Sequence, residues 1–174
     1  MRYDAVIFDL FGTLVHTVSP DAYAGMLDEL STILGVPAGA FTTQWRATID
    51  ERESGLLGGI EEIFAATASA VGRQPSAAQV TSASDRWQTS VEDWLVPRDD
   101  TLATVQAFRD AGAKVGLLSN CSAEVPPLWV SSPLAPMFDA TVFSCAVGAM
   151  KPHHLVYDTA CELLGVRPNR CLFV

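Results

Sequence analysis

Ala5-Val-Ile-Phe-Asp-Leu-Phe-Gly-Thr-Leu-Val15 is the stretch on which the fold turns. Ala5 to Phe8 are four apolar residues with no polar alternation, the pattern of a strand covered on both faces of a parallel sheet. Asp9 ends the run, and Gly12-Thr13 break it. Open α/β sheets bind ligands in the crevice beyond the carboxyl ends of their strands. A carboxylate placed directly after a buried strand therefore predicts both the sheet and a reactive rim.

Working outward, Ser19-Pro20-Asp21 predicts a helix start, with a capping hydroxyl, a first-turn proline and a first-turn acid. Tyr23, Met26, Leu27, Leu30, Ile33 and Leu34 follow at helical spacing up to Gly35. Phe41, Trp45, Thr48, Ile49 and Arg52 mark a second helix. Ile60, Ile63, Phe64, Thr67 and Val71 mark a third, ending near Gly72. Pro75-Ser76 opens a fourth, through Val80, Trp87, Val91 and Trp94. No strand pattern occurs between about residues 18 and 95.

After Pro97 strands return. Asp99 or Asp100 caps a helix with Leu102, Val105 and Phe108 on one face, stopping at Gly112. Lys114 to Leu118 is a second strand, running into Ser119-Asn120. Residues 126–136 are proline-interrupted and irregular, and 141–143 form a third strand. Pro152 starts a helix containing Leu155, Ala160, Leu163 and Leu164, closed by Gly165. Residues 171–174 form a fourth strand. Strands separated by helices predict an α/β fold: a three-layer Rossmann-like parallel sheet with an inserted α-helical cap. The expected division is a core of residues 1–15 plus 98–174 and a cap of residues 16–97. An apolar strand as the last four residues reads as part of a longer protein, so the core is expected to be C-terminally truncated. The alternative is a short form whose final strand lies at a sheet edge, free to pair with another copy as a homodimer.

The net charge of −9 disfavours nucleic acid and anionic membrane surfaces as partners. It also means that any anion site is built locally. No stretch approaches a membrane span and no signal peptide is evident, which predicts a soluble, cytoplasmic protein. Cys121, Cys145, Cys161 and Cys171 lack zinc-finger or CxxC spacing and read as buried or free thiols. Trp45, Trp87 and Trp94 read as core. His16, His153 and His154 read as surface residues.

The polar residues at the strand ends are Asp9, Ser119, Asn120 and, beyond the third strand, Lys151. A carboxylate can attack phosphorus or carbon to form an ester, and a hydroxyl and an ammonium can hold a transferring anion. Backbone amides of the Asp9–Gly12 turn are further candidates.

These residues resemble the motifs of the haloacid dehalogenase-like hydrolases. Phe8–Val15, FDLFGTLV, is similar to that family's first motif, LLSN at Leu117–Asn120 to its second, and Lys151-Pro152 with Tyr157 to its third. The order fits the subgroup whose helical cap lies between motifs one and two, and Arg52-x-x-Gly55 resembles a cap loop that reaches the active site. The resemblance implies Asp9 as nucleophile, with Ser119 and Lys151 as the other catalytic residues. It implies substrate contacts from Leu10, Phe11, Gly12, Thr13, Asn120 and Arg52. In metal-dependent relatives it implies Mg2+ held by Asp9 and the Phe11 carbonyl. By its residue type alone, Arg52 reads as a solvated helix residue.

Two departures bear on the chemistry. Family phosphatases carry a second Asp where this chain has Phe11, which cannot protonate an alkoxide, and such a proton donor contributes about 10²–10⁴-fold. Halide leaves without a proton, and the family's dehalogenases carry an aromatic here and need no metal. The family's last acidic motif, which completes the metal site or orients water, would follow Val174. Three readings stay open: a phosphatase acting on a small anionic phosphate monoester, a 2-haloacid dehalogenase, and a non-catalytic binding protein.

Overall fold

Residues 2–174 are described by a computed structural model. Strands β1 (Ala5–Phe8), β2 (Lys114–Ser119), β3 (Ala140–Phe143) and β4 (Cys171–Phe173) form one sheet in the order β3-β2-β1-β4. Every pairing is parallel, so β1 lies inside the sheet, between β2 and β4.

The uninterrupted apolar run of β1 follows from two covers. Val6 and Phe8 join Val115 and Leu117 in one buried cluster, whereas Ala5 and Ile7 join Leu118 and Val142 in the other. Successive side chains point to opposite faces, so both faces must be apolar. Among the described residues there are nine helices: α1 (Pro20–Leu34), α2 (Ala38–Ala47), α3 (Ile49–Glu53), α4 (Ile60–Ala70), α5 (Ala77–Trp94), α6 (Thr101–Asp110), α7 (Val125–Trp129), α8 (Ser144–Val147) and α9 (His154–Leu164). Val105 of α6 and much of α1, α2, α4 and α5 pack into the first cluster, and Val156, Ala160 and Leu164 of α9 into the second. The three-layer α/β arrangement with inserted helices is as the sequence predicts. Among the described residues, no helix is long and apolar enough to cross a membrane.

Five helices, not four, separate β1 from α6. The expected second helix breaks at Thr48, whose hydroxyl donates back to the carbonyls of Gln44 and Trp45 at 3.2 and 3.3 Å. Such back-bonding competes with the helix's own ladder and bends it. Residues 126–136 are more regular than expected: α7 and a 3₁₀ turn at Ala135–Met137 take prolines in their first turns, where no amide donor is required. The face of α6 is shifted from Leu102, which is exposed, to Thr101 and Val105, because the Thr101 hydroxyl donates to Leu14 O at 2.7 Å. In α9, Leu155 and Leu163 are exposed, and Val156, Ala160, Cys161 and Leu164 form the buried stripe.

Candidate active site

At the carboxyl end of β1, the Lys151 ammonium lies 2.6 Å from Asp9 Oδ1 and also donates to Leu118 O at 3.3 Å. Both side chains are largely sheltered from water. The Lys151 loop is fixed from the neighbouring strand: Asn120 Oδ1 accepts from Lys151 N at 2.8 Å, and Asn120 Nδ2 donates to Lys151 O at 3.5 Å. Parallel β1–β2 register, with Phe8 opposite Leu117, puts Asp9 and the Ser119-Asn120 end of β2 on the same rim. Ser119 is fully buried, and its hydroxyl makes a 3.3 Å contact to Asn120 O. The four polar residues of the strand ends thus occupy one rim.

Part of the expected anion cradle is already engaged. Gly12 N donates to Val15 O and Thr13 N to Leu10 O. Among the described residues, the amides of Leu10 and Phe11 carry no hydrogen-bond partner and remain able to receive an oxyanion. Leu10 is fully buried, backbone included, so its side chain makes no substrate contact where it stands. Gly12 and Thr13 border a different cleft, with Leu14, Arg98 and Thr104.

A cavity of about 360 Å³ opens between the helical layer and the loops after β1 and β2. Of the expected substrate contacts, Phe11, Arg52 and Asn120 line it. Arg52 is not solvated: it is 4% exposed, stacks on the Trp45 ring at 3.8 Å, and donates from Nη2 to Trp45 O at 2.9 Å. A planar guanidinium satisfied by a ring face and a carbonyl can be buried, which residue type alone does not reveal. Its Nε, however, has no partner.

The cavity also contains residues that sequence reasoning did not select. Trp87 and Trp94, expected as core, form part of its wall together with Tyr23. Glu53 and Glu124 line it as well, and burial is the main cause that pushes both carboxyls above their usual range. For Glu124 the indole N–H of Trp87, donating at 2.8 Å, pulls the other way. Burial chiefly lowers the Arg52 pKa, opposed by Tyr23 and then by the two carboxylates. Glu124 is separated from Asn120 by only Cys-Ser-Ala, and that nearness in sequence was the available signal.

One hydroxyl ties the rim to the helical layer. Ser144, at the start of α8, accepts from Cys121 N at 2.9 Å and donates to Glu53 O at 2.6 Å. Gly55, with φ of +75°, packs so closely there that an added Cβ would stand 2.2 Å from Cys145 O.

Among the described residues, no group of three or more His, Cys, Asp or Glu side chains could hold a metal ion. The hard-oxygen pair named above, the Asp9 carboxylate and the Phe11 carbonyl, is of the type Mg2+ takes while keeping several waters.

A family described as haloacid dehalogenase-like hydrolase matches residues 3–174. Phosphatase MT3486 of Mycobacterium tuberculosis (strain CDC 1551 / Oshkosh) is 29% identical over 99% of this chain and 78% of its own length. The L-2-haloacid dehalogenase of Xanthobacter autotrophicus, solved with chloropropionic acid covalently bound, superposes with a TM-score of 0.61 at 24% identity, over 98% of this chain and 69% of that one. A family enzyme of Bacteroides thetaiotaomicron, solved with magnesium and inorganic phosphate, superposes with a TM-score of 0.71 at 18% identity, over 98% and 83%. At these identities the two superpositions establish the fold.

Proposed function

Because the chain belongs to the haloacid dehalogenase-like hydrolases, we propose that it hydrolyses a small phosphate monoester through a covalent phosphoryl ester on Asp9. The observation that carries this reading is the sheltered Asp9–Lys151 pair, 2.6 Å apart at the rim beside Ser119 and Asn120. An Asp9 oxygen attacks phosphorus, the bond to the alcohol oxygen breaks, and the alkoxide leaves. Lys151 steadies the charge on the transferring group, and the free amides of Leu10 and Phe11 with the Ser119 hydroxyl hold its oxygens. Water then attacks the phosphoryl group, the bond to Asp9 breaks, and phosphate departs with the carboxylate restored. Asn120 keeps Lys151 in place. Mg2+ held by Asp9 and the Phe11 carbonyl would supply further positive charge at the phosphoryl oxygens. The likeness to a mycobacterial phosphatase supports this reading. In this reading residues 16–97 act as a cap over residues 1–15 plus 98–174.

Phe11 favours a second reading. It supplies no proton to an alkoxide, and a 2-haloacid needs none, because halide leaves from carbon unaided. Asp9 would then form a carbon ester, with Arg52 as a receiver for the substrate carboxylate. The two readings part on product and metal. Full-length protein is assayed on a panel of phosphate esters and 2-haloacids, with and without excess EDTA. Phosphate release that EDTA abolishes supports the first, and halide release that survives EDTA replaces it with the second. Asp9→Asn abolishes either activity; undiminished turnover in that variant removes both.

A further inference from the structure

Two residues that line the cavity each carry a buried polar atom that nothing in the chain satisfies. Glu124 Oε1 accepts from Trp87 Nε1, but Glu124 Oε2 is sealed from solvent without a donor. Arg52 Nε is sealed without an acceptor, although the residue is 4% exposed. The two do not answer each other: among the described residues they form no ion pair within 4.0 Å. Buried polar groups are almost always hydrogen-bonded, and an unsatisfied one marks a missing partner. The partner Glu124 lacks is a donor.

The surroundings narrow the kind of donor. Tyr23, Trp87 and Trp94 line the same cavity and hold one another, Trp87 edge-on to Trp94 at 5.5 Å and to Tyr23 at 6.3 Å. Aromatic walls with a carboxylate attract ammonium groups. The charge balance agrees, since Glu53 and Glu124 stand against the single guanidinium of Arg52, which is already engaged by Trp45. An anionic or donor-free substituent would leave Glu124 Oε2 stranded, and of the groups that can donate to it an ammonium also answers the two carboxylates' charge.

On the phosphate-ester reading, we infer that the leaving group of the substrate carries an ammonium, bound by Glu124 and Glu53 between Trp87, Trp94 and Tyr23: the substrate is an amino-alcohol phosphate. The volume of about 360 Å³ lies within the range of small-molecule sites, about 300–1,000 Å³. A neighbouring ammonium also withdraws electrons from the departing alkoxide. That eases its loss where Phe11 offers no proton.

The test reads binding and turnover separately. Full-length Asp9→Asn protein is titrated calorimetrically with 2-aminoethyl phosphate and with ethyl phosphate, which lacks the amine. The amine ester binds tighter by about tenfold or more, the scale of a sheltered charged hydrogen bond. Adding Glu124→Gln lowers the ratio of the two affinities to below about threefold, and Trp94→Leu lowers it independently if the first variant misfolds. Equal affinities in the Asp9→Asn protein overturn the inference, as does a ratio that survives both substitutions. Unsubstituted protein that hydrolyses ethyl phosphate and shows no amine preference overturns the inference and leaves the phosphatase reading standing. Amine-selective binding without phosphate release from any ester removes the phosphatase reading, and with it the amino-alcohol phosphate as substrate, and leaves only an ammonium-binding site at Glu124.

Discussion

Replacing Gly55 with alanine separates a close approach from a backbone preference. Its φ of +75° carries a left-handed penalty of roughly 1–2 kcal/mol for any L side chain. Gly72 carries the same penalty at φ +74°, but an added Cβ there meets nothing within 4 Å. At Gly55 the Cβ would stand 2.2 Å from Cys145 O and 3.1 Å from Cys145 C, both backbone atoms that no side-chain rotation can clear. The loop must retreat, which draws Glu53 O from the Ser144 hydroxyl that now donates at 2.6 Å. That hydroxyl keeps Cys121 O at 3.3 Å as a second acceptor, so the exchange adds at most about 0.5 kcal/mol, and the displaced backbone adds about 1–2. Gly55→Ala should therefore cost about 2–4 kcal/mol with the clash included, against about 1–2 for Gly72→Ala. At about 2–4 °C per kcal/mol for a chain of this length, Tm drops by about 4–16 °C and about 2–8 °C. The unfolded-state gain of Gly→Ala is common to both and cancels in the comparison. Thermal unfolding followed by circular dichroism reads both values. Equal drops would show that the contact with Cys145 contributes nothing beyond dihedral strain.

Gly116→Ala in β2 would put a Cβ 2.9 Å from Leu164 Cδ1 and 3.4 Å from Ile7 Cγ1. It should cost about 1–3 kcal/mol by overpacking, readable as a lower urea midpoint with an unchanged m-value. Asn120→Ala releases the Lys151 backbone without touching Asp9, so kcat should fall by about tenfold or more while the fold stays intact by circular dichroism. Burial holds the folded-state pKa of Glu124 above its ordinary 4.5. Between the unfolded and folded values the native protein binds more protons, so stability falls as pH rises through that window. Glu124→Gln removes this contribution, and its Tm should gain on the parent's as pH rises above about 4.5. A gap that does not change with pH contradicts the assignment.

The sheet and its rim were legible because each rests on local pattern. Four consecutive apolar residues before Asp9 require two covers, and the structure supplies them. The caps at Ser19 and Ser76 are where their hydroxyls indicate, each accepting from the amide three residues on. The Thr48 break was less legible, because a threonine inside an amphipathic run fits a helix until its hydroxyl returns to the carbonyls behind it. Exposure of Leu102, Leu155 and Leu163 is a matter of one step around a helix, which spacing does not resolve. The cavity was the least legible part. Arg52 with Glu53, Trp87 and Glu124 come from three separated places, and their types suggest surface or core when read singly. Their meeting depends on how α3 and α5 settle over the loop after β2, a long-range packing outcome.

Ser144 has one more consequence. Its proton points to Glu53 O at 2.6 Å, but Cys121 O stands at 3.3 Å as a second acceptor. If the α3 segment swings away, the hydroxyl turns to the standby and no proton is stranded. Parting the two layers at this seam therefore costs the difference between a short and a long hydrogen bond, rather than a whole one. The contact behaves as a latch with a parked position, holding firmly when closed and releasing without debris.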